Sequence, residues 1–337
     1  MTNITVLEHL LVVNLDIHIW TARKKLSAPD LAQPNLNGPD LPPGDLASLG
    51  SKRVCNPKEI QTFNTLKARA VALLDRHGVR FLGGWAVPQK TIDEICAELT
   101  EIRNEFNQGK AEFLKRYQQV VNDWIAKHPK WAGIIENSVE SEDYVRSRLE
   151  FRWQMFRVQP PVQAGSAYQG ELNNDISDLG LTLFEEVAQA ASLAWKRCYS
   201  GKSEITRKAL SPLKNIEQKL LGLTFVEPRV APVAELIATA IQEIPRRGTI
   251  RGSMLTRLQS LVCMLCEPKL VLGHGQRMLE GKAQAADILN NLLKPSAHEP
   301  SHGFSHEPPE RAESEPEVKP EVQPEASTPR LESHGLW

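Results

Sequence analysis

Apolar residues between Thr91 and Lys127 recur at alternating steps of three and four, the spacing that places them on one stripe of a helix. A continuous helix over this stretch is roughly 55 Å long at ~1.5 Å per residue. An apolar stripe of that length requires a partner helix, from this chain or from another. Gly109 stands where the next stripe residue is expected, and a bend or break there would shorten the predicted projection into a compact bundle. The residues predicted to form this partner-helix seam are Ile92, Ile95, Leu99, Ile102, Phe106, Phe113 and Val120.

Three shorter stretches are predicted to be strands, and the first and third of them show the period of two that is typical of strands. They predict strands near 11–20, 79–87 and 148–156. The first alternates cleanly and predicts a half-buried strand, whereas the apolar spacing of the third also suits a helix. In the second, Gly83-Gly84 predicts either a bulge or a close approach of another backbone segment.

Helices are predicted for most of the remaining chain. Asn56-Pro57-Lys58-Glu59 combines a cap, a first-turn proline and a capping-box glutamate, so it predicts a helix start, and Gly78 predicts the end of that helix. A second long amphipathic helix is predicted over 171–198, and its small residues nominate it as the partner of the helix over 91–127. The part from 205 to 293 is predicted to be helical. Two shorter helices are expected there over 233–244 and 253–266, and a last one over roughly 276–293.

These elements predict a mainly α fold with a small β-sheet (α+β), in which a head carries a long helical hairpin or coiled-coil stalk. A single domain is predicted over 1–294. Residues 27–51 contain several Pro and Leu residues and predict a loop packed on that domain. From 295 to 337 the chain has nine Glu, eight Pro and almost no large apolar residue, which predicts a disordered acidic tail.

The formal net charge of −1 hides an asymmetry along the chain. The acidic tail carries −6, which leaves +5 on the body, less than a dedicated nucleic-acid binder is expected to have. The five Cys residues are odd in number and scattered, which favours a reducing compartment. Residues 1–20 have no basic leader and contain Glu8 and Asp16, so they predict neither a signal peptide nor a membrane span. Together these features predict a cytoplasmic protein.

No metal site is predicted. Cys263 and Cys266 form a C-x-x-C, but zinc requires four ligands and no second pair lies at a suitable spacing, so both thiols are expected to pack in the core. The carboxylates of Glu171, Asp175 and Asp178 share one face of a predicted helix, where the helix dipole also favours them. The evenly spaced histidines of the tail predict only weak metal binding because a proline interrupts them. These tail residues are His298, His302 and His306.

The sequence also shows no catalytic constellation. Ser200-Gly201-Lys202-Ser203 lacks the first glycine of a phosphate loop and the strand that precedes one. No nucleophile elbow, metalloprotease motif or glycine-rich dinucleotide loop is present. The sequence therefore predicts a protein that is not an enzyme and has no cofactor.

Clusters of basic residues are the remaining signal. A loop with Arg246, Arg247 and Arg251 lies between two predicted helices, and Arg257 follows on the second of them. Such a loop next to a helix start can hold phosphate or a nucleic-acid backbone. An ordinary solvated connection explains the same pattern, and aromatic residues are not interleaved with it. Other basic groups are Lys52 with Arg53, and Arg146, Arg148, Arg152 and Arg157.

Three segments, LVVNLDIHIWTARKKL, LPPGDLASLGSKRVCNP and DRHGVRFLGGWAVP, together resemble an uncharacterised bacterial domain-of-unknown-function family. That family is met on plasmids and integrative conjugative elements. The resemblance is clearest over Leu11 to Pro88 and extends to about Leu293. Its members are often encoded beside a chelatase-like AAA+ ATPase and a von Willebrand factor A protein, so the resemblance implies these as protein partners. The family supplies no assigned catalytic residues.

The first hypothesis is therefore a non-enzymatic scaffold or adaptor in an ATPase-associated assembly of a bacterial mobile genetic element. The alternative is a nucleic-acid-binding accessory factor that uses the arginine loop at 246–251. A metal- or nucleotide-dependent enzyme is the remote third hypothesis. No membrane partner is expected. A homo-oligomer stays open, because the long stripe can pair within one chain or between two.

Overall fold

A four-stranded antiparallel sheet lies between two groups of helices. The computed structural model describes residues 3–27, 50–159 and 166–292, and the side chains of 3–5 and 166–169 are excepted. The strands are β1 (Leu10–His18), β2 (Arg23–Lys25), β3 (Ser51–Arg53), β4 (Val79–Phe81), β5 (Gly84–Pro88), β6 (Glu150–Phe156), β7 (Glu204–Ile205) and β8 (Ile250–Arg251). The sheet has the order β4-β5-β1-β6, while β2 pairs with β3 and β7 with β8 in two small ladders.

Helices make up most of the described chain, which confirms the prediction of a mainly α fold with a small sheet. Short 3-10 turns precede several of them, including Pro57–Ile60 and Pro129–Trp131, and a π turn, Trp195–Tyr199, follows the longest. The α-helices are α1 (Asn3–Glu8), α2 (Gln61–His77), α3 (Ile92–Lys115), α4 (Tyr117–Lys127), α5 (Ala132–Glu136), α6 (Glu142–Arg148), α7 (Ser166–Ala194), α8 (Ser211–Gly222), α9 (Val230–Gln242), α10 (Ser253–Leu265), α11 (Pro268–Leu279) and α12 (Ala285–Asn291).

Successive side chains of β1 enter opposite hydrophobic cores, because neighbouring residues of a strand point to opposite faces. Val12 packs in one core with helices α1 and α7–α12, which we call the helical core. Val13 packs in the other with α2, α3, α4 and β6. We call this second cluster the aromatic core, since its Phe63 and Phe106 rings meet edge to face at 4.9 Å. The strand predicted as half-buried from the alternation therefore has Leu10, Val12 and Val13 buried and Leu11 partly buried, and it becomes more exposed from Asn14 onward.

The long stripe forms two helices instead of one, and the stalk is not present in the described part of the chain. Helix α3 ends at Lys115 and α4 begins at Tyr117, so the break falls at Arg116 instead of Gly109. Gly109 lies inside α3. A Cβ at this position would lie 3.7 Å from the Phe63 ring, which is an ordinary van der Waals contact. The seam residues are buried in the aromatic core, except for the partly buried Ile92.

The partner of the long stripe was predicted wrongly. Helix α3 packs against α2 and β6, whereas α7, nominated for this role, contributes its apolar face to the helical core. The reason is the intervening sheet, which separates the two helices and which periodicity along one segment does not reveal. The predicted hairpin of 91–127 with 171–198 is therefore wrong. The two segments lie in helical layers on opposite faces of the sheet.

The second predicted strand is a tight hairpin, β4 and β5, and not one strand with a bulge. Leu82 and Gly83 turn the chain with φ of 47° and 75°, the left-handed conformation that such a turn requires. The alternative of a close backbone approach is confirmed at Gly84, where a Cβ would lie 2.5 Å from the carbonyl oxygen of Val13.

Two smaller differences concern the C-terminal part. The single helix predicted over 276–293 is instead α11 and α12, separated at Gly281 with φ of 70°. The ladder of β7 and β8 was not predicted, since each strand has only two residues. The predicted loop over 27–51 falls mainly, and the tail over 295–337 entirely, outside the described residues.

A buried ionic cluster joins the two sides of the sheet. The Lys219 ammonium of α8 lies 2.5 Å from the Glu186 carboxylate of α7 and donates to the carbonyl oxygen of Asp75 at 2.8 Å. The second Glu186 oxygen accepts the Arg80 backbone N–H at 2.8 Å. The Asp75 carboxylate accepts the indole N–H of Trp85 at 2.7 Å. One lysine thus connects α2, α7, α8 and the β4–β5 hairpin.

We expect Lys219→Met to lower the free energy of unfolding by about 3 kcal/mol, because it leaves the Glu186 carboxylate buried without its cation. Urea denaturation measures this. The matched control is Arg69→Met, which breaks the exposed ion pair with Glu105 and is expected to cost about 0.5 kcal/mol. Equal effects of the two substitutions would contradict a central role for the Lys219 cluster.

Stability should also depend on pH through His77, a buried residue at the end of α2. Burial lowers the pKa of His77 below its ordinary value of 6.5, so the unfolded chain takes up the proton first as the pH falls. The free energy of unfolding should therefore decrease from about pH 7.5 to about pH 5.5. His77→Gln should flatten that decrease in urea titrations. An unchanged slope in the variant would exclude His77 as its source.

Candidate nucleic-acid interface

The small ladder of β2 and β3 forms a strongly basic ribbon. Arg23 lies directly opposite Arg53, and Lys24 lies opposite Lys52. Like charges in directly opposed positions destabilise an antiparallel pair. Lys24 pairs with Glu140, so the pair that gains most when an anion lies against the ribbon is Arg23 with Arg53, and this pair points to a polyanionic ligand.

A groove of about 710 Å³ runs beside this ribbon. Its cationic side chains come from both ribbon strands, from the 3-10 turn before α2 and from α2 itself: Arg23, Arg53, Lys58 and Lys67. His18, at the end of β1, also lines the groove and lies 2.8 Å from the Asp16 carboxylate. Thr21, Gln61 and Asn64 add neutral polar groups, and the buried Trp20, Ala22, Cys55 and Ile60 supply apolar lining. None of the described residues that line the groove carries a carboxylate. The groove is therefore suited to anions.

The wall opposite the ribbon follows from the local sequence around Asn56. The Asn56 side chain accepts the Lys58 backbone N–H at 3.1 Å and so starts the 3-10 turn that leads into α2. Lys58, Gln61, Asn64 and Lys67 then follow at steps of three, which keeps them on one side of this turn and helix. The helix start adds the positive end of its dipole to the same region.

Glu140 holds the ribbon against the helices of the aromatic core. Its carboxylate lies 2.9 Å from the Lys24 ammonium and accepts the indole N–H of Trp20 at 2.7 Å. Its carbonyl oxygen accepts the Tyr117 hydroxyl at 2.9 Å. Burial raises the pKa of Tyr117 to about 12, so this hydroxyl remains a donor at neutral pH. Glu140 therefore anchors β2 and leaves Arg23 and Arg53 facing the groove.

Cys55, in the groove wall, does not have the character of a nucleophile. Burial raises the pKa of its thiol to about 12, and the Glu59 charge adds to the effect. A thiol with this pKa stays protonated at neutral pH, whereas the reactive form is the thiolate. Cys55 therefore serves packing in the aromatic core.

The four arginines predicted from the sequence lie in different surroundings. Arg246 and Arg247 are exposed on the connection between α9 and α10, and Arg251 lies on β8 opposite Glu204. The Arg257 guanidinium pairs with the Glu243 carboxylate and donates to the Asn290 side chain at 3.2 Å. Carboxylates thus lie beside two members of the group.

The structure also describes the cysteine pair and the three carboxylates that the sequence singles out. Cys263 is exposed, so its predicted core position is wrong, and Cys266 is partly buried, with its thiol 3.2 Å from the Val262 carbonyl. Glu171, Asp175 and Asp178 are exposed on α7. No cluster of three potential metal ligands occurs among the described residues. His298, His302 and His306 lie outside them.

Lys52 with Arg53 is recognisable as a basic group from the sequence, but the groove is not. The signal that could have found it is the pair of short basic runs, ARKK at 22–25 and SKR at 51–53. They are separated by 25 residues, and only strand pairing brings them together. Local periodicity does not reveal a contact of that range.

The chain belongs to a family described as proteins of unknown function (DUF3150), whose model matches residues 7–267. No curated protein and no solved structure matches the chain. The match includes both ribbon strands and α2. It ends before α11, whereas the resemblance seen in the sequence was expected to reach about Leu293. Among the described helices, none is long and apolar enough to cross a membrane.

Proposed function

We propose that this protein is a non-enzymatic, cytoplasmic accessory factor that binds the phosphate backbone of nucleic acid along the β2–β3 ribbon and its groove. The observation that carries the proposal is the like-charged pair of the ribbon, Arg23 opposite Arg53, beside a groove whose described lining residues carry no carboxylate. The sequence raised nucleic-acid binding as an alternative function. The proposed binding site is now the β2–β3 ribbon instead of the arginine loop at 246–251.

The energetic argument rests on the groups left available in the groove. Lys24 already pairs with Glu140, whereas Arg23, Arg53, Lys58 and Lys67 form no ion pair with the described residues. A phosphate placed among such cations displaces counterions from the nucleic acid, which favours binding at low salt. The volume of about 710 Å³ exceeds the needs of one phosphate and suits several consecutive backbone units.

A scaffold role in an ATPase-associated assembly of a mobile element is the second candidate. The stalk that would have supported this role is not present among the described residues. The edge strand β6, where Met155 and Phe156 are 43% and 42% exposed, favours it. An exposed strand edge can accept a strand from another protein. The AAA+ ATPase and the von Willebrand factor A protein stay predictions of the family resemblance. Copurification with either protein that Phe156→Arg abolishes would support this role, and its absence would count against it.

We expect the double variant Arg23→Ala/Arg53→Ala to bind a labelled oligonucleotide at least ~10-fold more weakly than the wild type at moderate salt. The slope of log affinity against log salt should fall by about two, since each arginine that contacts a phosphate contributes about one. Fluorescence anisotropy across a salt series measures both quantities.

The matched control is Arg246→Ala/Arg247→Ala, which removes the same charge from the loop between α9 and α10. It should leave the affinity and the salt slope nearly unchanged. Equal losses in the two double variants would indicate a diffuse charge effect. A loss confined to the control would return the site to the arginine loop and contradict the proposal.

A further inference from the structure

We propose that the groove selects single-stranded over duplex nucleic acid, because Trp124, which bonds to the ribbon, and His128 and Trp131, which follow it in the chain, supply aromatic rings for unpaired bases. We call these three residues the aromatic shelf. This inference rests on the proposed function and names its substrate class. Basic grooves flanked by aromatic side chains bind single strands in a sequence-tolerant way, since every base has a face that can stack.

The shelf is attached directly to the ribbon. The indole N–H of Trp124 donates to the carbonyl oxygen of Arg53 at 3.2 Å. Because the other edge of β3 is paired with β2, this bond places Trp124 at the outer edge of the ribbon. The Arg53 side chain lines the groove from the same residue. A backbone phosphate held by Arg53 therefore has aromatic rings as neighbours.

The chain continues from Trp124 at the ribbon to His128 and Trp131. The ring centroids of Trp124 and His128 lie 4.4 Å apart, and the Lys127 ammonium lies 5.5 Å from the Trp124 centroid. The His128 carbonyl accepts the Trp131 backbone N–H at 2.9 Å and so fixes the following 3-10 turn. These contacts order the shelf before any ligand binds.

Exposure identifies Trp131 as the ring open to a ligand. Trp131 is 40% exposed and follows the exposed Lys130. Trp124 is partly buried. An exposed indole next to a cation offers a face for stacking and a charge for the adjacent phosphate.

A duplex cannot use this shelf. Its bases are stacked on one another and hidden from a ring that lies beside the backbone, so a duplex would gain only the phosphate contacts of the groove. A single strand can place its backbone in the groove and turn its bases toward the shelf. The aromatic residues thus add affinity for the single strand alone.

The test compares oligothymidylate of roughly 20 nucleotides with a duplex of the same length, by fluorescence anisotropy with the full chain. The wild type should bind the single strand ~10-fold or more tightly than the duplex. Trp131→Ala should lose most of that preference and leave duplex affinity and the salt slope unchanged. Trp124→Phe keeps a ring and removes only the hydrogen bond to Arg53, so it should retain part of the preference.

The matched control is Phe156→Ala, an equally exposed aromatic residue at the far end of β6. Its partner Val12 lies six residues along β1 from His18, roughly 20 Å at ~3.4 Å per residue. This control should change neither affinity.

The outcomes separate the two proposals. Equal affinity of the wild type for both probes, or equal losses for both in Trp131→Ala, overturns the shelf but leaves the ribbon site intact if Arg23→Ala/Arg53→Ala still weakens binding. Absence of binding to either probe at low salt overturns the ribbon site itself. A single-strand preference that depends on Trp131 supports both.

Discussion

The two-sided burial of β1 is the constraint on which the rest of this fold depends. Val12 and Val13 are both fully or almost fully buried, yet they belong to different cores. A strand with this pattern must be covered by helices on both faces, so α2, α3 and α4 lie on one side and α7–α12 on the other. The Lys219 cluster then fastens the layers where α8 meets α2.

The candidate interface continues from the same strand. Beyond His18 the chain leaves the sheet, and Trp20 and Ala22 enter the aromatic core before β2 begins. Trp20 packs against Phe113 and Tyr117, with ring centroids 6.2 and 5.7 Å away. The packing of Trp20 and the contacts of Glu140 thus hold the ribbon in place despite the repulsion between Arg23 and Arg53. Such local conflicts, supported by a stable surrounding, are typical of functional sites.

Much of this fold could be predicted from local pattern. The amphipathic face of α2, its Asn56 cap and the alternation of β1 and β6 are short-range signals, and each element lies where they indicated. The partner of α3 could not be predicted, since an apolar stripe specifies that a surface is buried but not which surface covers it. The groove was missed for the same reason: Arg23 and Arg53 meet only through strand pairing, and Trp124 joins them from 71 residues away.

The central claim is that nucleic acid lies along the ribbon, and hydrogen–deuterium exchange of the full chain with and without a single-stranded oligonucleotide tests it most directly. The account predicts slower exchange in peptides that cover 17–25, 51–67 and 124–131, with the connection at 246–251 unchanged. Slower exchange at 246–257 with no change along the ribbon would contradict it.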